Sequence, residues 1–346
     1  MQKIKSLTFL FFIINCQWIS AQKYSFDAPY KYISPQNEVY SGDKKFNFSG
    51  ITIIDARADT SKVGFSITGI KIYDIKRLTE IKRLNYQNGL SADVTNYLLN
   101  FYKHAFEDNG DTVLIVIKKL WISQYDTTLS IGSNFIGSGR IFLTKLKLEF
   151  YLKDKEFYHP INRFDTSFIT TPKRSTKDFG YEITDAIINC CDNLFTLNPV
   201  SILQRKKYTL EQIQQFNNRL FDIPVLNAAK YKKGIYVTFS EFLNNEPSLD
   251  YSNIDKQKYG DVLYLNDGNG GEYSSNKFWG YSDGENLYII SGKNFFQLVR
   301  TQNTFEFFGI KNLRENFAFN GDILKKGKPT LNKFIYQVDM ETGESY

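Results

Sequence analysis

The sequence predicts an α+β fold: an N-terminal sheet with two packed amphipathic helices, followed by a β-rich antiparallel C-terminal domain. Three patterns predict it. Two β-branched runs, Ile51-Thr52-Ile53-Ile54 and the TVLIVI of 112–117, alternate with two stretches of helical apolar spacing. Residues Ile141 to Leu152 alternate apolar and polar, as a strand with one buried face does. Beyond residue 235, short apolar runs are divided by Asn266-Asp267-Gly268, Ser282-Asp283-Gly284 and Ser291-Gly292, the punctuation of antiparallel turns. With 346 residues and 42% hydrophobic composition, the chain is long enough for more than one core.

In chain order, residues 1–21 read as an export signal. Lys3 and Lys5 precede the apolar run Leu7 to Ile14, and Ile19-Ser20-Ala21 ends in a small residue, so cleavage is expected between Ala21 and Gln22. The run is shorter than the ~20 apolar residues that span a bilayer, so no transmembrane span is expected after removal of the signal. Lipid attachment at Cys16 is the competing possibility, but Asn15 stands where a small residue is wanted. Residues 22–49 are polar and aromatic without period and read as an arm or edge strand. Residues 50–199 form the α+β domain. It holds the strand at 51–54, which ends in Asp55-Ala56-Arg57-Ala58-Asp59, a second strand over Phe65 to Tyr73, and a helix from Ser91 as N-cap. The strand from Thr112 continues through Trp121, followed by the alternating strand and a second helix over Thr176 to Phe195. Residues 200–234 read as a connector with one helix, opened by a Thr209/Gln212 capping box and stopped by Ile223-Pro224. Residues 235–346 form the β-rich domain. Thr238 and Glu241 open a short helical turn there, and strands follow at Val262 to Leu265, Lys277 to Tyr281, Asn286 to Ile290, Phe295 to Val299 and Thr304 to Phe308. A closing hairpin turns at Glu341-Thr342-Gly343.

Composition excludes several chemistries. The formal charge is +6, and loss of the signal removes two lysines and no acid, leaving +4. The basic clusters Lys173-Arg174, Arg205-Lys206-Lys207 and Lys325-Lys326-Lys328 are scattered rather than gathered into one stripe, so no nucleic-acid partner is expected. Cys190 and Cys191 are adjacent and read as two buried helix thiols, since neighbours close only a strained ring. The chain has two histidines, His104 and His159, read as a solvent-facing helix residue and a turn residue before Pro160. With no Gly-x-Ser-x-Gly they leave a nucleophilic enzyme without an evident base. Asp55 with Asp59, and Asp283 with Glu285, are the candidate carboxylate pairs for glycoside hydrolysis, although Arg57 offers the first pair an ion-pair partner. The Gly-rich stretch from Asn266 to Glu272 lacks calcium-loop spacing and reads as a hairpin turn. No catalytic residue, metal or cofactor is expected. Exposed aromatics remain as the sign of a binding surface, and Trp279, Tyr281 and Asp283 are the candidate, with filling of a β core as the competing reading.

The Ser20-Ala21-Gln22 junction and the Lys-, Asn-, Tyr- and Phe-rich mature chain resemble exported proteins of Bacteroidota. ITIIDARADTSKVG, a helix, TVLIVIKKLWIS and an alternating strand resemble YajG-like envelope lipoproteins over about 150 residues, without their lipobox. GIYVTFSEFLNNEPS and FWGYSDGENLYII resemble an uncharacterised segment of secreted Bacteroidota proteins over about 80 residues, and neither resemblance supplies a catalytic residue. Asp126-Thr127-Thr128 resembles the short O-glycosylation signal of the same phylum, which implies a glycan on Thr127. The expectation is an exported component of the cell envelope, periplasmic, outer-membrane-associated or extracellular. It binds an envelope protein or, alternatively, a glycan, as a carbohydrate-binding protein or a carboxylate-dependent hydrolase.

Overall fold

The computed structural model describes residues 28–35, 37–68, 80–108, 110–131, 134–170, 179–255, 261–266, 272–274, 277–291, 293–311 and 332–346. The export signal with Cys16, Ala21 and Gln22, the end of the strand expected at 65–73, the turn residues 267–271, and the clusters at 173–174 and 325–328 lie outside the described residues. So does the side chain of Thr127. The fold mixes α and β, and its sheets are mostly antiparallel.

The first sheet is assembled from β1 (Tyr30–Ile33), β2 (Gly50–Asp55), β3 (Gly64–Thr68), β4 (Glu80–Tyr86), β5 (Thr112–Ile131), β6 (Asn134–Asp154), β7 (Phe157–Thr170) and β8 (Tyr208–Thr209). Its order is β1-β4-β3-β5-β6-β7-β8, with β2 also on β5. β2 and β3 lie parallel to β5 along successive stretches of the same edge, Gly50 to Asp55 on Thr112 to Ile117 and then Gly64 on Ile122. The DARADTSK segment between them leaves that edge as a loop.

β5 is buried on both sides, which explains why TVLIVI is apolar throughout. Val113, Ile115 and Ile117 enter one cluster with Val94 and Leu98 of α1 (Leu90–Phe101) and Ile183 and Ile187 of α2 (Phe179–Cys191). Leu114 and Val116 point the other way, onto Ile213 of α4 (Leu210–Arg219), which follows the short α3 (Pro199–Leu203). A shift in the β5–β6 register between Ile117 and Lys119 then re-aims the strand: Leu120 and Ile122 return to the first cluster and Trp121 faces away from it.

Several local expectations are corrected. Ser91 is not the N-cap of α1. Gly89, at φ 87°, holds that position without a side-chain cap, while Asp93 reaches back to the backbone N–H of Asn88. His159 lies in β7 rather than in a turn, buried, with Nδ1 3.1 Å from the Arg205 carbonyl. Pro160 is tolerated in that strand because the β6–β7 register slips beside it, where Tyr151 opposes Pro160 and Phe150 opposes Asn162. His104 is exposed but lies beyond the end of α1. The second helix ends at Cys191 and continues as a 3-10 turn, Asp192–Thr196. The connector carries α3, α4 and α5 (Pro224–Asn227) rather than one helix, with the Thr209/Gln212 capping box in place.

The second half contains β9 (Gly234–Tyr236), α6 (Phe239–Leu243), β10 (Tyr251–Asp255), β11 (Val262–Leu265), β12 (Glu272–Ser274), β13 (Gly280–Ser282), β14 (Leu287–Ser291), β15 (Asn294–Thr301), β16 (Thr304–Lys311) and β17 (Asn332–Gln337). These make an antiparallel sheet in the order β17-β16-β15-β14-β13-β9 and a three-stranded sheet β10-β11-β12. β13 is shorter than the strand expected from Lys277. The hairpin around Glu341-Thr342-Gly343 closes on an isolated bridge between Val338 and Ser345.

Candidate functional site

The Trp279-Tyr281-Asp283 segment is built into the second half. Consecutive odd positions here do not share a face, because Trp279 precedes the strand. Its ring lies 4.1 Å from that of Phe242 and 5.3 Å from that of Phe239, on one side of the sheet. Tyr281 lies on the other side, 6% exposed, stacked on Tyr288 at 4.4 Å with Phe295 and Tyr251 edge-on. Asp283 closes the β13–β14 turn. Its carboxylate accepts from the backbone N–H groups of Glu285 and Asn286 and from the Tyr288 hydroxyl. Burial raises its affinity for a proton, but these donors outweigh that and hold it below the usual carboxylate range.

The carboxylates at the end of β2 are each neutralised. Arg57 grips Asp55 through Nε and Nη2, both at 2.7 Å, and donates Nη1 to the Lys62 carbonyl at 2.6 Å. Asp59 accepts from the Ser61 N–H at 2.8 Å and hydroxyl at 2.6 Å, and pairs with Lys62. Burial pushes its carboxyl up, yet Lys62 and Ser61 together hold it below the usual value. Asp55 and Asp59 are therefore held by different cations. Among the described residues no group of three or more His, Cys, Asp and Glu is placed to hold a metal ion. Among the described residues, Cys190 and Cys191 are buried and not bonded to each other. Burial pushes the Cys190 thiol up to about 12, and burial, with the neighbouring Cys190 and Asp192 adding to it, holds the Cys191 thiol well above its ordinary value.

The DARADTSK loop joins the two halves. Lys62 reaches Glu306 of β16 at 3.0 Å as well as Asp59, and Gln337 of β17 donates to Glu306 at 3.4 Å. The Thr60 N–H donates to the Gln302 side chain at 2.9 Å, and the Asn303 N–H to the Ala58 carbonyl at 3.0 Å. Two more lysines of the first half, Lys119 and Lys147, pair with Asp339 and Glu341 of the second. Lys119 and burial act in opposite senses on Asp339. Burial raises it, but the lysine's bond and charge prevail and lower it. Between the ion pairs, Phe65 and Trp121 pack against Ile335 and Tyr346, with the Trp121 and Tyr346 rings edge-on at 6.1 Å. Across this seam the first half supplies cations and the second supplies acids.

One surface was not singled out by the sequence. β1 ends the first sheet, and among the described residues no strand pairs with its outer edge. Its burial alternates, so Ile33 enters the core while Tyr30 and Tyr32 stand out at 38% and 58% exposed. Their rings lie 6.0 Å apart and nearly parallel, at 13°. The Arg83 guanidinium of β4 sits 4.2 Å over Tyr30 and is anchored by Nε to the Ala28 carbonyl at 2.6 Å. Arg83 pairs with Phe65 on its other side, so the tyrosines continue the face that, further along, carries the seam. The only sequence signal was the Tyr-x-Tyr alternation in a stretch without longer period. Among the described residues no helix is long and apolar enough to cross a membrane. No family model, curated protein or solved structure matches the chain.

Proposed function

We propose that this chain is an exported component of the cell envelope, of Bacteroidota type and related to the YajG-like lipoproteins. In this reading it binds or assembles with another envelope protein and carries out no catalysis. It is organised as an N-terminal sheet with two packed amphipathic helices and a β-rich antiparallel second domain. The carrying observation is β1 at the end of the first sheet, where among the described residues no further strand pairs and Tyr30 and Tyr32 stand exposed and aligned beside Arg83. An extended segment of a partner adds to such an edge through main-chain hydrogen bonds, with tyrosine and arginine supplying side-chain contacts. The acids considered for hydrolysis support a non-catalytic reading, because Asp55 and Asp59 are bound by Arg57 and Lys62. A second reading, a glycan-binding module, is favoured by the exposure of Tyr30 and Tyr32, since an exposed aromatic ring can stack on a sugar.

The test places a photo-crosslinking side chain at position 32, and for comparison at the exposed position 216, in the protein expressed in its own envelope. The assembly reading expects one protein captured at 32 and not at 216, with capture lost when Tyr30 is changed to Ala. Equal capture at both positions overturns it. Retention on a glycan array that disappears in the Tyr30→Ala, Tyr32→Ala double variant, without protein capture, establishes the second reading instead.

A further inference from the structure

The seam between the halves contains an imbalance that its geometry makes consequential. Lys62 is one ammonium serving two carboxylates, Asp59 and Glu306, and all three side chains are at most 4% exposed. Asp59 is completed by the two Ser61 donors. Glu306 is 0% exposed and less well served: Lys62 and Gln337 both approach Oε1, and Oε2 has no hydrogen-bond partner among the described residues. The neighbouring charges do not remedy this. From the loop, Arg57 is committed to Asp55. From the turn after β17, Asp339 is paired with Lys119 and Glu341 with Lys147. The Tyr346 hydroxyl donates to Gln337. A second buried negative charge on one lysine is strongly disfavoured, and a proton on the unpartnered oxygen removes it.

We propose that this seam is a proton-operated latch: the second half docks on the first with one proton held by the Asp59–Lys62–Glu306 group, and undocks as that proton is lost. Burial works in the same direction, raising the Glu306 carboxyl to about 7 against the opposing pull of Lys62. Because the docked acid binds its proton more tightly than the freed one, docking is strongest in acid and weakens as pH rises toward the docked value. The latch would therefore respond to acidification or neutralisation outside the cytoplasm, and it does not depend on what β1 binds.

The test is hydrogen exchange of the full chain followed by mass spectrometry, read on peptides covering 55–65, 301–309 and 335–346. Rates are corrected for the intrinsic pH dependence of exchange and referenced to α1. With the docked carboxyl near 7 and the freed one at its ordinary 4.5, seam opening increases roughly 30-fold between about pH 5.5 and 8.5. Glu306→Gln keeps an acceptor for Lys62 and abolishes the dependence. Asp59→Asn leaves Glu306 as the sole acid on Lys62 and weakens the dependence, while the burial of Glu306 keeps its sign. A seam whose corrected opening is independent of pH in the unaltered protein overturns the proposal, as does an unchanged alkaline opening in either variant.

Discussion

Replacing Tyr281 with alanine separates a core role for the second half's aromatics from a surface one. The ring is 6% exposed and touches three others, Tyr288 stacked at 4.4 Å, Phe295 edge-on at 4.7 Å and Tyr251 edge-on at 5.6 Å. Truncating a buried aromatic to alanine costs about 3–5 kcal/mol, the larger part from transfer and the cavity left behind. Paired rings add about 0.5–1.5 kcal/mol each beyond area burial, which places Tyr281→Ala near the upper end of that range, at roughly 5 kcal/mol. Tyr32→Ala removes the same atoms from a 58% exposed position on an edge strand and should stay within about 0.5 kcal/mol of the parent. Urea unfolding followed by tryptophan fluorescence gives both values, since Trp121 is buried in the first half with Phe65 and Trp279 packs against Phe242 in the second. A loss below about 1.5 kcal/mol for Tyr281→Ala, or one as large for Tyr32→Ala, refutes the assignment of these two tyrosines to core and surface.

Two further predictions concern the first half. A Cβ on Gly180 would lie 2.1 Å from the Ser34 carbonyl oxygen, so Gly180→Ala should push the start of α2 off the chain leaving β1. The expected cost is about 1–3 kcal/mol in thermal or urea unfolding with faster hydrogen exchange over 30–34, and an unchanged variant would show that this close approach is not required. With the Cys190 thiol raised to about 12 and Cys191 held well above its ordinary value, roughly one Cys190 thiol in ten thousand is ionised near pH 8. Thiol reagents should therefore label the native protein only as fast as it unfolds. Prompt labelling in the absence of denaturant refutes the buried placement.

What the sequence revealed about the fold followed periodicity. The β5 run, the β6 alternation and the α2 face at Ile183, Ala186, Ile187 and Cys190 were legible because each is fixed by local burial on one or two faces. The Thr209/Gln212 box and the Thr238 cap were legible because capping is chemistry within three residues. β7 was missed because Pro160 argues against a strand, and only the pairing with β6 reveals the bulge that accommodates it. β4 was missed because Glu80 to Tyr86 shows little alternation and owes its structure to β1 and β3 on either side. The binding-surface reading chose the aromatic-rich strand at 279–283, whereas composition carries no information on which side of a sheet another layer will cover. The exposed pair is instead in β1, whose outward tyrosines are identifiable only once its neighbours are known. Arg57 was anticipated as a partner for Asp55 or Asp59, and the geometry selects Asp55. Glu306 and Lys62 were beyond reach, since their encounter is a property of docked halves.

The seam also bears on the order in which the molecule comes together. β5 and β6 meet across residues 132–133, and β6 and β7 across a short turn, so these pairings close small loops and can form early. Lys119 and Asp339 are 220 residues apart in sequence, and Lys147 and Glu341 are 194 apart. Contacts of such separation are the slowest to find and belong after the main barrier to folding. Substitutions that strengthen the seam should then leave the refolding rate nearly unchanged and lengthen the lifetime of the native state, so the lysines and acids across it act as the chain's brake on unfolding.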